Sequence, residues 1–340
     1  MSSLNVLVTG GAGFIGSNCV RYLREQRPHW KITVLDLLTY AGNLASIQDL
    51  LDAGEVSFVR ADICDADAMQ ALFSKRFDFV FHFAAESHVD RSIMSATEFA
   101  RTNVLGTQVL LNSALENGLG RFVHVSTDEV YGSLGPTGRF LETTPLDPTS
   151  PYSASKAASD LMVLAACKTH KLDAVVTRCT NNYGPYQFPE KFIPLFITNA
   201  LGDQALPLYG DGMNVRSWLY VDDHCEALLK VAEGGRSGEV YNIGGAAEAE
   251  IPNLTVAKFI LSELGKPENL IRLVTDRPAH DRRYAIDYSK INRELGWQPQ
   301  VAFESGLKRT VNWYLENRNW WQSIKSGEYL KYYELNYAAR

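Results

Sequence analysis

Tyr152 and Lys156 stand four residues apart in the run Pro151-Tyr152-Ser153-Ala154-Ser155-Lys156, and on a helix that spacing puts both side chains on one face. A free phenol titrates near pH ~10 and is a poor base at neutrality, but a neighbouring ammonium favours the phenolate. The pair therefore reads as a tyrosine base tuned by a cation. Upstream, Thr127-Asp128-Glu129 places a hydroxyl and two carboxyl groups side by side. Two carboxyl groups in one desolvated site tend to diverge in pKa, one staying protonated as an acid and the other ionised as a base, which suits elimination of water. Near the start, Gly10-Gly11-Ala12-Gly13-Phe14-Ile15-Gly16 satisfies G-x-G-x-x-G from Gly11 and G-x-x-G-x-x-G from Gly10. Such a loop brings backbone N–H groups and a helix N-terminus up to a pyrophosphate, where a Cβ would obstruct the approach.

These residues need a scaffold, and the hydrophobic pattern supplies one. Short apolar or β-branched runs at 5–9, 31–36, 56–61, 79–83, 121–126 and 174–178 read as strands, several too uniformly apolar for a solvated face. Helix-period segments at 13–27, 66–75, 97–117 and 152–170 lie between them, so the fold class is α/β with a doubly wound parallel sheet. The glycine loop then follows the first strand, and Asp36 closes the second, 20 residues beyond Gly16, where a carboxylate holds the ribose hydroxyls of a dinucleotide. A carboxylate there repels a 2′-phosphate, and no Arg follows in Leu37-Leu38-Thr39, so the expected cofactor is NAD rather than NADP. Asp62 and Ile63 follow the third strand; Ala84, Ala85 and Ser87 follow the fourth; Ser126 ends the fifth. All are placed to line the cofactor cleft.

Past Asn181 the pairs Gly184-Pro185, Phe188-Pro189, Ile193-Pro194 and Leu206-Pro207 break the periodicity into loops, and a second, smaller lobe begins. The expected division is an NAD-binding unit over 1–180 and a lobe over 181–340, with segments at about 216–245 returning to the first sheet.

Composition excludes several classes. With 46% hydrophobic and 21% charged residues the chain is an ordinary globular one. The balance of 33 basic against 39 acidic residues, without a basic run, argues against nucleic acid as partner. No apolar stretch reaches membrane-spanning length. The start, Met1-Ser2-Ser3-Leu4, lacks the pattern of a secretory signal, and Cys19, Cys64, Cys167, Cys179 and Cys225 show no C-x-x-C spacing, so a cytoplasmic protein with reduced cysteines and no structural metal is expected.

Together with Ala84-Ala85-Glu86-Ser87-His88-Val89-Asp90-Arg91-Ser92, Thr127-Asp128-Glu129-Val130-Tyr131-Gly132, Asn181-Asn182-Tyr183-Gly184-Pro185-Tyr186 and 277–284, these motifs closely resemble the dTDP-glucose 4,6-dehydratase family of the extended short-chain dehydrogenase/reductases, from Leu4 to about Tyr314. The resemblance implies a hydro-lyase of deoxysugar biosynthesis with tightly held NAD. Tyr152, helped by Thr127, removes the sugar 4-hydroxyl proton as hydride leaves C4. Glu129 then takes the C5 proton, Asp128 protonates the departing C6 hydroxyl, and hydride returns to C6. It further implies that Asn182 joins the cofactor residues, and that Ser87, Asn181, Lys191, Phe192, Pro207, Tyr209, Arg216, Asn253, Arg277 and His280 meet the sugar nucleotide. Arg216 and Arg277 make physical sense as pyrophosphate clamps. A homodimer pairing the helices at 97–117 and 152–170 is implied as well. The competing readings are a sugar-nucleotide 4-epimerase, which shares Tyr152 and Lys156 but has no use for an Asp-Glu pair, and a non-catalytic NAD sensor.

Overall fold

Seven parallel strands form the central sheet, and their interior positions are Val, Ile, Leu and Phe because helices cover both faces. In a computed structural model describing residues 3–276, 280–325 and 333, these are β1 (Asn5–Thr9), β2 (Lys31–Asp36), β3 (Val56–Arg60), β4 (Phe79–His82), β5 (Arg121–Thr127), β6 (Ala174–Cys179) and, late in the chain, Val240–Ile243. The spatial order runs from that late strand through β6, β5, β4 and β1 to β2 and β3. The direction of winding reverses between β1 and β4, so a crevice opens beyond their carboxyl ends. One core is built around Val6, Val8, Val34, Phe81 and Val123, the opposite one around Leu7, Leu35, Val80, Phe122 and Val176, following the period-2 alternation of the strands.

Helix α1 (Phe14–Gln26) starts at the glycine loop, with Gly13 as its N-cap. The periodic stretch at 97–117 is a helix in pieces: Ala96–Ala100, a wider π-type turn at Arg101–Gly106, and α2 (Thr107–Asn117). Helix α3 (Pro151–His170) opens on a capping box, Ser150 and Ser153 each bonding the other's backbone N–H, with Pro151 in the first turn. That cap fixes where the helix begins and hence where Tyr152 sits.

The second lobe departs from the loop reading of its prolines. Ile193-Pro194 lies in the first turn of α4 (Phe192–Leu201), where the missing N–H had no helical acceptor. Leu206-Pro207 lies in β8 (Leu206–Tyr209), which pairs only with Ile271–Val274 in a two-stranded sheet. Of the two segments expected to return, Val240–Ile243 pairs with β6, but β9 (Val215–Tyr220) does not. It pairs instead with β7 (Asn181–Tyr183) and with Glu250–Pro252 in a separate three-stranded sheet over a core containing Phe196, Trp218 and Tyr220. No helix among the described residues is long and apolar enough to cross a membrane.

Candidate active site

The crevice is lined by Gly10, Gly13, Phe14, Ile15 and Gly16 from the first loop, Asp36 from β2, and Asp62 and Ile63 after β3. Ala84, Ala85 and Ser87 after β4, Ser126, Thr127, Asp128 and Glu129 from the end of β5, and Tyr152 and Lys156 from α3 complete that side. Asn181, Asn182 and Lys191 come from the second lobe. The glycine loop is made for close approach. Gly10 has φ +70°, and a Cβ there would lie 2.6 Å from the Ala84 amide nitrogen. Asp36 braces the loop: one carboxylate oxygen accepts from Ala12 N at 3.0 Å, the other from Leu38 N at 2.8 Å. Burial pushes its pKa up, and the two amides pull it back in part. Asp62 accepts from Cys64 N at 2.9 Å and from Arg101 at 2.6 Å. Burial raises its pKa, but these two donors outweigh it and the carboxylate sits below the ordinary value.

The cradle fits a dinucleotide on three counts: the glycine positions where a Cβ would intrude, the helix N-terminus behind them, and buried polar atoms facing the crevice with no protein partner, the Ser126 hydroxyl and the Asn181 side-chain oxygen. Among the residues expected here, Asn182 is held rather than free. It donates to Thr180 O at 2.9 Å and its side-chain oxygen meets His224 Nδ1 at 2.9 Å, so it shapes the wall.

At the far end the candidate acid–base groups converge. Tyr152 stands beside Thr127 on the crevice wall, and its ring edge packs against Phe99 at 6.3 Å. Burial, then the neighbouring Glu129 carboxylate, holds the phenol well above its ordinary pKa. The expectation that Lys156 draws the phenol down is not met by the protein groups alone, because burial and the acid pair weigh more. The lysine itself is 3% exposed and donates to Val125 O at 3.0 Å. Burial lowers its pKa to about 8. Asp128 is buried, with one carboxyl oxygen near the Thr127 hydroxyl at 3.4 Å and the other without a partner. Burial, and then the charge of Glu129, holds Asp128 well above the usual carboxylate range, so one member of the acid pair stays protonated.

The remaining expected residues are spread over the second lobe. Arg216 lies 4.5 Å over the Tyr284 ring and donates to Asp281 O at 3.0 Å, and its charge acts on Asp128. Asn253 starts the helix Asn253–Glu263 with its side-chain oxygen buried and unbonded. Phe192 stacks near Trp218 at 6.0 Å, and Tyr209 donates to Asp90 at 3.1 Å. Pro207 is buried within β8, and His280 meets Asp276 at 2.5 Å with its ring against Tyr209. Arg277 lies outside the described residues.

Sequence reasoning missed a strap that closes the crevice. The segment 184–191 of the second lobe lies across the first: Asn18 donates to Pro185 O at 3.0 Å, and Phe188 meets Tyr40 edge-on at 5.6 Å. Arg91 covers Tyr40 at 3.8 Å while pairing with Glu190 at 2.9 Å, and Lys191 donates to Ser87 O at 2.9 Å. These partners lie from about fifty to more than a hundred and sixty positions apart, so no local pattern announces them; the one usable signal is the unusual density of polar residues in Glu86 to Ser92.

Comparison with known proteins agrees with this geometry. The family model described as GDP-mannose 4,6 dehydratase matches residues 7–310. A dTDP-glucose 4,6-dehydratase of Streptomyces niveus is 54% identical over 95% of this chain and 96% of its own. The crystal structure of DesIV, a dTDP-glucose 4,6-dehydratase from Streptomyces venezuelae with NAD and dTDP bound, superposes with a TM-score of 0.91 at 52% identity, covering 95% of this chain and 100% of that one. A UDP-glucose 4-epimerase from Thermotoga maritima has the same fold at a TM-score of 0.85 but only 31% identity, over 93% of this chain and 100% of its own. With relatives at about 50% identity over nearly the whole chain, the chain belongs to the dTDP-glucose 4,6-dehydratase family of the extended short-chain dehydrogenase/reductases.

Proposed function

We propose that this chain is an NAD-dependent hydro-lyase of the cytoplasm that converts dTDP-glucose to dTDP-4-keto-6-deoxyglucose. The observation that carries the reading beyond the fold is the buried Asp128, one carboxyl oxygen without a partner, next to Glu129 in the same crevice as Tyr152; burial and that neighbour push the Asp128 pKa well up. A 4-epimerase needs no such pair. NAD, when bound by the glycine loop, Asp36, Ser126 and Lys156, supplies reversible hydride acceptance. Tyr152 takes the proton of the 4-hydroxyl, with the Lys156 ammonium favouring its phenolate and Thr127 orienting the group. Oxidation at C4 makes the C5 hydrogen acidic, and Glu129 removes it. Asp128, kept protonated by burial and by its neighbour, donates to the leaving C6 hydroxyl. Arg216 and Lys191 supply the positive charge that a nucleoside diphosphate requires in a chain of net charge −6. Incubating the purified chain with dTDP-glucose tests the whole reading: a 4-keto-6-deoxy sugar nucleotide is expected, whereas a C4 epimer, or no product, overturns it.

The same reading takes the enzyme to be a homodimer. Along α3, Val163 and Ala166 enter the core, but Ala154, Leu161 and Ala165 face outward, Leu161 at 57% exposure. On the adjoining segment Leu111 is core while Leu105 is 51% exposed, so the face left uncovered is narrower than the sequence suggests but is shared by both helices. Apolar side chains aligned on neighbouring helices fit a two-fold contact with a second copy. Light scattering at micromolar concentration should give the mass of two chains; a monomer contradicts the pairing.

A further inference from the structure

Behind the candidate base lies a buried layer of polar side chains that the reaction scheme does not use. Asp160 sits on α3 one turn beyond Lys156, fully buried. Its carboxylate accepts from Arg178 Nε at 2.8 Å and faces His124 Nε2 at 3.3 Å. His124 also meets the Ser159 hydroxyl at 3.1 Å, and its ring packs 5.3 Å from that of His82. The Arg178 guanidinium lies 4.8 Å over the ring of Tyr131, at the end of the turn that carries Asp128 and Glu129. Such a layer is costly to bury, and an apolar filling would serve stability at least as well.

The charges in the layer are unequal. From β4 and β5, His82 and His124 face Lys156; burial, helped by the cations nearby, drives His124 down to about 4 and His82 well below its ordinary value, so both are neutral. From β6 come the Arg178 cation and the Cys179 thiol, which burial pushes up to about 12 and leaves uncharged. Tyr152 on α3, together with Asp128 and Tyr131 in the turn after β5, is held in the uncharged form. Asp160 remains ionised, because its donors outweigh its burial.

We propose that Asp160 is a positioning residue for the reaction, its buried carboxylate, held by Arg178 on one oxygen and facing His124 with the other, serving as the fixed counter-charge of the Lys156 ammonium one helical turn away. The proposal rests on the reading of Tyr152 as the base, since Lys156 acts on substrate only through that phenol. The attraction of Asp160 opposes the desolvation of Lys156, which already sits near the edge of its charged range. Without the carboxylate, Lys156 loses its proton at a lower pH, and the support for the Tyr152 phenolate goes with it.

The test follows the Lys156 Cε resonance in ¹³C-lysine-labelled enzyme, assigned by loss of the signal in Lys156→Arg, alongside the pH profile of dTDP-glucose turnover. In Asp160→Asn the Lys156 midpoint should fall by about one pH unit, and the alkaline limb of the rate should move with it, cutting turnover on that limb about tenfold relative to wild type. Asp160→Glu should restore both. If the asparagine variant does not fold, Asp160→Asn combined with Arg178→Gln removes the anion and its partner cation together, and the Lys156 midpoint should still fall, but by less. A Lys156 midpoint that stays where it is in the wild type, whatever the loss of rate, makes Asp160 a structural residue only and overturns the proposal. Because the resonance is read without substrate, failure of the wild type to act on dTDP-glucose would sink the functional reading and leave the Asp160 test standing.

Discussion

Replacing Tyr152 by phenylalanine is expected to slow oxidation at C4 by about 10²–10⁴-fold while leaving NAD bound, the range for loss of a positioned acid–base group. The ring keeps its edge contact with Phe99, and the cradle that would hold the dinucleotide is formed by Gly10, Gly13, Asp36, Ser126 and Lys156, none of which depends on the phenol oxygen. What disappears is the crevice-lining hydroxyl that takes the 4-hydroxyl proton in the proposed reaction. Added dTDP-glucose should then raise no absorbance from reduced nicotinamide, although the variant elutes with its cofactor. A normal rise in that absorbance would remove Tyr152 from the role of base. Loss of the cofactor itself would show that Tyr152, which lines the same crevice as the glycine loop, also takes part in binding it.

The first half of the chain was legible because its physics is local. Each strand of the central sheet is a run of apolar residues bounded by turn formers, and the edges read from sequence fall within a residue of those observed, as in Asn5–Thr9 and Lys31–Asp36. The glycine loop and the Tyr152–Lys156 pair likewise declare themselves within a few positions. The second lobe was less legible for an identifiable reason. Pro194 and Pro207 break a pattern only where a donor is needed, and neither the first turn of a helix nor a strand with one partner needs it. Whether β9 returned to the main sheet was decided by β7 and the segment Glu250–Pro252, which compete for its edges. At the site, the identities of Tyr152, Lys156, Asp128 and Glu129 could be read, but their charge states could not. Those depend on burial and on groups such as Arg216, which only the fold brings near Asp128.

Glu129→Gln separates the dehydratase reading from every simpler one, because it divides the chemistry at its middle. Oxidation at C4 needs Tyr152, which the substitution leaves in place; if anything, removing a negative charge beside Tyr152 eases formation of its phenolate, since Glu129 is among the groups holding the phenol high. Deprotonation at C5 needs a carboxylate, and an amide cannot accept that proton. The neighbouring Asp128 is a poor substitute, because burial, the larger of the two effects that push its pKa up, persists when the charge of Glu129 is gone. Oxidation should therefore proceed while elimination slows by about 10²–10⁴-fold, so reduced nicotinamide accumulates on the enzyme and exchange of the C5 hydrogen with deuterated solvent slows in step. Gln is close in size to Glu and retains the backbone N–H to the Thr127 hydroxyl at 3.3 Å, so the turn from Thr127 to Tyr131 should hold its shape. An epimerase or a plain dehydrogenase has no elimination step to stall. Product formed at the wild-type rate by Glu129→Gln would overturn the assignment of the acid pair even with the fold and the cofactor unchanged.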